Sequence, residues 1–530
     1  VRAGQSIAAA ATLLMIGTLA SRVLGLAREQ VTSYLFGTGD LVAAFTIADN
    51  VHTMLFDLVM SGMMQAALIP VLSEFAAEEK REELRRITGA LLMLTLIGVG
   101  SVLVVLEVFA PTVVQVMTSL AGGEEARSPE TVELTIELVR LILPAILLLS
   151  IGTLLMATLY SLQRFTRPAL SLSIRNAAIV FCALTLGRTS LGIKALVIGI
   201  VLGALLLVLI QLPGLRDAMP KPNFHFRQPA VRRIYWLYLP IFLGLLVNTA
   251  ALVVDRNLAW RVSTDALGAM RYATTLNQMV LGLVAAAISL AALPALSRHA
   301  AAGDETAYRN TLARGLRMVG VLVIPAALGM AVLSWPIVRL LFFHGATDQE
   351  GAEAIWLALL AYLPGTLFAA FDQVLIFAWY ARQNTKTPQI VGVAAVGVYF
   401  VFAFTLTPLL GMVGLVLANS AQFIIHTVVM IVLLRKLLAG ERLDQGESRR
   451  TLTVCFGVGL VMAGLAGVAA LGLNLGLPEA SDGFWQIGRN LLIFSLPAML
   501  GAAVYAAGLF WFRVDEAILI QQRLRALLAR

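Results

Sequence analysis

A chain of 530 residues with 59% hydrophobic and only 13% charged positions, at mean hydropathy +0.86, carries about half the ~25% charge of a soluble domain. Apolar runs of about 20 residues recur along its length, each long enough to cross a hydrocarbon core of ~30 Å. These features exclude a soluble enzyme and identify a polytopic, all-α membrane protein. The net charge of +8 is then a matter of loop location, and no nucleic-acid partner is expected.

In chain order, about fourteen spans are expected: 6–34, 41–66, 87–110, 131–160, 168–187, 191–213, 231–261, 267–297, 310–334, 351–381, 388–407, 411–437, 450–474 and 485–512. The first follows Arg2, outruns a signal-peptide core and lacks a small-x-small site before Arg22, so it reads as a retained anchor. Basic residues gather in alternate connections, among them Lys80 to Arg86, Arg164 and Arg167, Arg216 to Arg233, Arg382 and Lys386, and Arg435 to Arg450. The opposite loops are acidic, with Glu124, Glu125, Glu130 and Glu133, or Asp348, Glu350 and Glu353. By the positive-inside rule the basic side and both termini of this multi-pass protein are cytoplasmic.

Residues 67–94, ALIPVLSEFAAEEKREELRRITGALLML, are echoed by residues 291–319, AALPALSRHAAAGDETAYRNTLARGLRMV. Pro70 falls on Pro294, Leu72 on Leu296 and Ser73 on Ser297. YSLQRFTRP at 160–168 is likewise echoed by YARQNTKTP at 380–388. A repeat of roughly 220 residues is far beyond the ~20–50 of a solenoid unit. It marks two parallel six-span halves of a transporter. The expected organisation is a lobe at 1–213, a cytoplasmic linker at 214–233, a second lobe at 234–437, two added spans within 438–512, and an amphipathic tail at 513–530 on the anionic inner surface.

Charge at membrane depth is costly and marks candidate sites. The first span holds Arg22, Gly25, Arg28 and Glu29 in SRVLGLARE. Arg22 and Glu29 share a face to within ~20°, Arg28 is turned away by ~120°, and Gly25 permits bending. Two guanidiniums suit a pyrophosphate; the alternative is that Arg28 reaches the interface while Arg22 pairs with an acid. The second span carries Asp49, Asn50, His52 and Asp57, with Asp49 and Asp57 ~80° apart, either neutralising the arginines or relaying a cation or proton. His52 is either a relay member or a structural histidine. The seventh span holds Asn248, Asp255 and Arg256; the adjacent pair is either functional or two halves of separate interhelical ion pairs. Asp372, among Phe368, Phe371 and Ile376 of the tenth span, needs an interhelical partner, a cation or a proton. Cys182 and Cys455 read as small core residues. No P-loop, HExxH or GxSxG is present, so no catalytic residues are assigned and a secondary transporter is expected.

The run SRVLGLARE with LFGTG, GMMQAALIPVLSEF, QLPGLR, LPALS, LFFHGATD and YARQNTKTP resembles the MurJ/MviN family of lipid II flippases, in the multidrug/oligosaccharidyl-lipid/polysaccharide exporter superfamily. The resemblance covers twelve spans in the family's order. It implies two six-helix lobes around a cationic cavity, alternating access, and movement of undecaprenyl-pyrophosphate-linked peptidoglycan precursor from the inner to the outer leaflet. It also implies a lipid-tail groove at spans thirteen and fourteen, and linkage to membrane potential and, in some members, Na+. Arg22 and Arg28 match family arginines, and Asp255 resembles the family's acidic residue, a sodium ligand if such a site exists. Departures are Asp57 at a common arginine position, Thr275 at another, and Tyr399 and Ala403 in place of asparagines. Arg256 and Arg271 are candidates to compensate.

The expected substrate-binding set is Arg22, Gly25, Arg28 and Arg256, and the coupling or gating set is Glu29, Asp49, Asp57, Asp255 and Asp372. No cofactor is expected beyond Na+ or H+ coupling. Partners are a lipid-linked substrate, membrane lipids and the cell-wall synthesis machinery. Rival readings are export of another polyprenyl-linked glycan, cation antiport, and a non-transporting scaffold in cell-wall synthesis.

Overall fold

The computed structural model describes residues 2–58, 67–119, 128–263, 265–438, 443–444, 446–478 and 483–528. Residues 59–66, which hold GMMQA, lie outside them, as do Glu124, Glu125, Arg442 and the side chain of Asn248. The helices are α1 (Arg2–Phe36), α2 (Asp40–Phe56), α3 (Ile69–Ser73), α4 (Arg81–Val108), α5 (Ala110–Ser119), α6 (Pro129–Ser161), α7 (Thr166–Leu186), α8 (Lys194–Gln211) and α9 (Pro229–Val262). They continue as α10 (Ala266–Val280), α11 (Ala286–Ala301), α12 (Glu305–Leu341), α13 (Gln349–Ala381), α14 (Lys386–Leu410), α15 (Met412–Leu437), α16 (Glu447–Gly476), α17 (Gly483–Trp511) and α18 (Asp515–Leu528). Among the described residues, ten are long and apolar enough to cross a membrane: α4, α6 to α8, and α12 to α17. The other four expected spans are occupied by α1, by α2, by α9, and by α10 with α11. The fold is all-helical, as expected for a membrane span set whose backbone must satisfy itself.

Helix starts follow capping chemistry. The side chains of Ser128, Asp304 and Asp348 accept from the N–H groups of Thr131 (3.3 Å), Ala307 (2.9 Å) and Gly351 (2.9 Å) at the starts of α6, α12 and α13. Helix ends show the repeat in atomic detail. After α6, Gln163 takes φ 58°; its N–H bonds Tyr160 O at 2.9 Å and that of Arg164 bonds Leu159 O at 2.8 Å. After α13, Gln383 takes φ 58°, its N–H bonds Tyr380 O at 2.9 Å, and that of Asn384 bonds Trp379 O at 3.1 Å. Both are Schellman closures, normally made by glycine. A second repeat feature is a π-helical turn. It begins at residue 57 beyond α2 and at residue 281 between α10 and α11, the same offset of 224 that carries Pro70 onto Pro294.

By packing, the chain forms two compact units: residues 1–268 with 345–347, and residues 269–344 with 348–530. The packing boundary therefore lies beyond α9, whereas the sequence repeat begins before it. In the first unit Asn257 of α9 donates to Val116 O of α5 at 3.2 Å, and Arg233 holds Glu74 at 2.8 Å. Leu72, Leu84, Leu159 and Ile234 are fully enclosed in this unit's core. In the second unit, Leu296 and Tyr308, the repeat counterparts of Leu72 and Leu84, are equally enclosed, beside Val374 and Met430. Small residues permit close helix approach, since lipid offers no hydrophobic drive to association. A Cβ on Gly365 of α13 would come within 2.7 Å of Ser420 Cα on α15.

The tail is helical, but its first turn is seated in the second unit rather than lying free. Val514 and Ala517 join Cys455 and Val458 in a buried cluster. Glu516, 4% exposed, pairs with Arg317 of α12 at 2.5 Å. Cys182 and Cys455 are buried free thiols, as expected.

Candidate functional site

In the first unit the charged residues of three helices converge. Arg28 of α1 bonds its neighbour Glu29 through Nε at 3.0 Å and through Nη2, and the Glu29 side chain is 1% exposed. The flexible Arg28 side chain thus curls across the ~100° step onto the next residue instead of reaching the interface, against the reading that sent it there. Arg22 is half-buried about 9 Å earlier along the helix, at 1.5 Å per residue. Gly25 does not bend α1, which runs unbroken through it. A Cβ there would meet only Asn176 Nδ2 of α7, at 3.9 Å, and Asn176 donates to Ser21 O at 3.0 Å. Gly25 thus sits at a helix–helix approach.

Arg175, one residue before Asn176, was not singled out by sequence. It feels the charges of Arg28 on α1 and of Asp49 and Asp57 at the α2 span. Its Nε is buried with no hydrogen-bond acceptor, and its backbone is pressed against Gly203 of α8, where a Cβ would lie 2.8 Å from Arg175 O. Asp49 and Asp57 therefore act on one arginine, in keeping with their expected common face. His52, 5% exposed, lies 3.6 Å from Asp49. Tyr238 of α9 donates to Leu58 O and also feels Asp57. The result is a cluster of Arg28 and Arg175 against Glu29, Asp49 and Asp57, with Arg22 further along α1.

Asp255 and Arg256 pair with each other at 3.4 Å on α9, each largely shielded. This corrects the expectation of two separate interhelical pairs. In the second unit Thr275 turns back onto Arg271 O at 3.2 Å, and Tyr272 stacks on Phe342 at 5.1 Å. Tyr399 and Ala403 are buried on α14. Asp372 does have an interhelical partner: His426 of α15, whose Nδ1 lies 2.7 Å from Asp372 Oδ1. A cavity of about 190 Å³ between α12, α16 and α17 is lined by Val332, Trp335, Leu471 and Ile493 with Arg339 and Asn490 at its polar edge. Among the described residues, no three His, Cys, Asp or Glu side chains converge as a metal set.

On the basic-loop side, Arg164 grips Asp217 with two bonds of 2.5 and 2.8 Å. That bidentate contact holds the Asp217 carboxyl down at about 2. Arg317, 9% exposed, bonds Glu516, Asp444 at 2.9 Å and Glu447 at 3.1 Å.

The family model described as lipid II flippase MurJ matches residues 32–479. A probable lipid II flippase MurJ of Vibrio cholerae is 31% identical over 504 residues, covering 92% of this chain and 93% of that protein. The lipid II flippase MurJ of Burkholderia cenocepacia is 27% identical over 455 residues, covering 84% and 87%. Among solved structures, a lipid II flippase MurJ in an inward closed conformation aligns with TM-score 0.76 at 21% identity, covering 95% of this chain and 99% of that one. An inward-facing multidrug-resistance transporter of the same superfamily aligns at 0.67 and 15% identity, covering 79% and 94%. The match over most of the chain makes this multi-pass membrane protein a member of the MurJ lipid II flippase family.

Proposed function

We propose that the chain moves lipid II, the undecaprenyl-pyrophosphate-linked peptidoglycan precursor, from the inner to the outer leaflet of a bacterial cytoplasmic membrane by alternating access, with both termini cytoplasmic. The observation that carries it is the arginine cluster of the first unit, in a chain of this family. Asp57 occupies a position where the family commonly has arginine, and Arg175 from α7 brings a guanidinium back to the same charges. In the resting state the arginines are balanced by Glu29, Asp49 and Asp57, which avoids unpaired cations at membrane depth. A pyrophosphate offers the same bidentate oxygens with more charge, so it displaces the carboxylates from guanidiniums already in place. The step is ion exchange, with no bond made or broken.

The test is replacement of the native lipid II flippase in a depletion strain by this chain or by its Arg28→Ala or Arg175→Gln variant, at equal membrane levels. Rescue by the wild type and loss with either variant supports the proposal. Failure of a correctly inserted wild type shifts the cargo to another polyprenyl-linked glycan. Reporter fusions at each terminus check the orientation.

A further inference from the structure

The second unit holds a buried acid–imidazole pair in hydrogen-bond contact, whereas His52 and Asp49 of the first unit stand 3.6 Å apart. Asp372 on α13 and His426 on α15 are 5% and 7% exposed, and their contact of 2.7 Å is as short as a charge-assisted hydrogen bond. The start of α14, at Pro388, lies beside the ring. Gly392, one turn after Pro388, makes room: an added Cβ there would stand 3.9 Å from His426 Nε2. A ring nitrogen this close to a carboxylate carries the N–H between them, and the second ring nitrogen is then free to take up or release a proton against that charge.

Few other charges act on the pair. Among the described residues, Asp372 is the one charged group that acts on His426. Glu350 and Glu353 stand in the first turns of α13, and Lys386, Arg435 and Lys436 lie in exposed end turns of α14 and α15. From α12, Arg317 is committed to Glu516, Asp444 and Glu447. The walls are apolar, with Ala370, Val374, Val391 and Met430 all buried. The same helix pair is locked by hydroxyls on either side: Ser420 donates to Ala361 O at 2.6 Å and Thr427 to Phe368 O at 3.1 Å.

We propose that Asp372 and His426 form a proton-binding site that couples the second unit of this transporter to the transmembrane proton gradient. With the proton on the ring, the pair is a neutral dipole and the three helices close over it. When the proton leaves to water, an uncompensated carboxylate remains in apolar surroundings, and the packing must open to hydrate it. One proton is taken up on one side and released on the other, with no further chemistry. Each unit of pH gradient then biases transport about tenfold, or ~1.4 kcal/mol. This rests on the transport reading above, so the test has two independent readouts.

The first readout uses the purified full-length protein with ring-labelled histidine. The His426 resonance, identified by its loss in His426→Gln, is followed from pH 5 to 9 by NMR, and Asp372→Asn is expected to move its titration. The second uses proteoliposomes at clamped potential, with lipid II flipping read with and without a one-unit pH gradient. The proposal expects a gradient response of about tenfold in the wild type and a flat response in His426→Gln and Asp372→Asn, each confirmed as folded by its helical circular dichroism and monodisperse elution. A histidine whose resonance never changes overturns the site. Flipping indifferent to the gradient, or His426→Gln responding like the wild type, overturns the coupling. A titrating His426 in a protein that does not flip lipid II leaves the proton site standing and sinks the cargo assignment instead.

Discussion

Replacing Arg317 by methionine is expected to destabilise the second unit by ~3–5 kcal/mol, the usual cost of leaving a buried charge without its partner. The three carboxylates around Arg317 do not share that cost equally. Glu447 is 67% exposed at its side chain and rehydrates freely. Asp444 keeps the N–H groups of Gly446 at 3.0 Å and Ser448 at 2.9 Å. Glu516, 5% exposed at its side chain, has Arg317 as its hydrogen-bond donor among the described residues, so the loss falls on it. Glu447→Gln should accordingly cost under ~1 kcal/mol. The double variant Arg317→Met, Glu516→Leu should return near wild type, because a matched apolar pair replaces a buried ion pair at little cost. The assay is thermal unfolding of detergent-purified protein, with limited proteolysis of α18 alongside. At roughly 2–4 °C per kcal/mol for a unit of this size, the single variant should fall by about 6 °C or more. A single variant within about 2 °C of wild type, or a double variant no better than the single, would refute this account of what holds α18.

Three further outcomes are expected. Gln163→Gly and Gln383→Gly should each stabilise by ~0.5–1 kcal/mol in thermal unfolding, since glycine takes φ 58° without Cβ strain. Gly365→Leu should lower stability by at least ~1–3 kcal/mol, because its side chain must displace Ser420 and separate α13 from α15. Asp217→Asn should cost under ~1 kcal/mol at pH 6, since Asp217 is half-exposed and screened. A carboxylate held down at about 2 against an ordinary 3.8 stabilises above pH 3.8 and loses that contribution as pH falls towards 2. The two melting curves should therefore converge as pH falls through about 2.

The repeat and the span series were legible because each rests on local chemistry. Apolar length sets a span, and YSLQRFTRP and YARQNTKTP each carry their own Schellman closure. The charged clusters were only half legible. Arg22, Arg28, Asp49, Asp57 and Asp372 announce themselves by their cost in a span, but their partners lie on other helices, which periodicity does not reach. Arg175 and His426 were missed for that reason: each is a single polar residue in a strongly apolar run, and only packing shows that it faces Asp57 or Asp372. The signal available was the residue type itself, since an arginine or histidine at that depth always requires a counterpart. Arg28 failed differently. The helical wheel fixes where Cα–Cβ bonds point, and a side chain with four rotatable bonds can end on its neighbour.

The π-helical turns at residues 57 and 281 have a historical consequence. A π turn is in effect a one-residue insertion into an α-helix, and it rephases every side chain downstream. An insertion at the same register in both copies dates from the ancestral single half, before duplication joined two of them. The feature was therefore settled before a second lobe was fused on the same chain. The charged residues took separate courses afterwards: arginines and acids, with His52 beside Asp49, in one descendant, and the Asp372–His426 pair in the other.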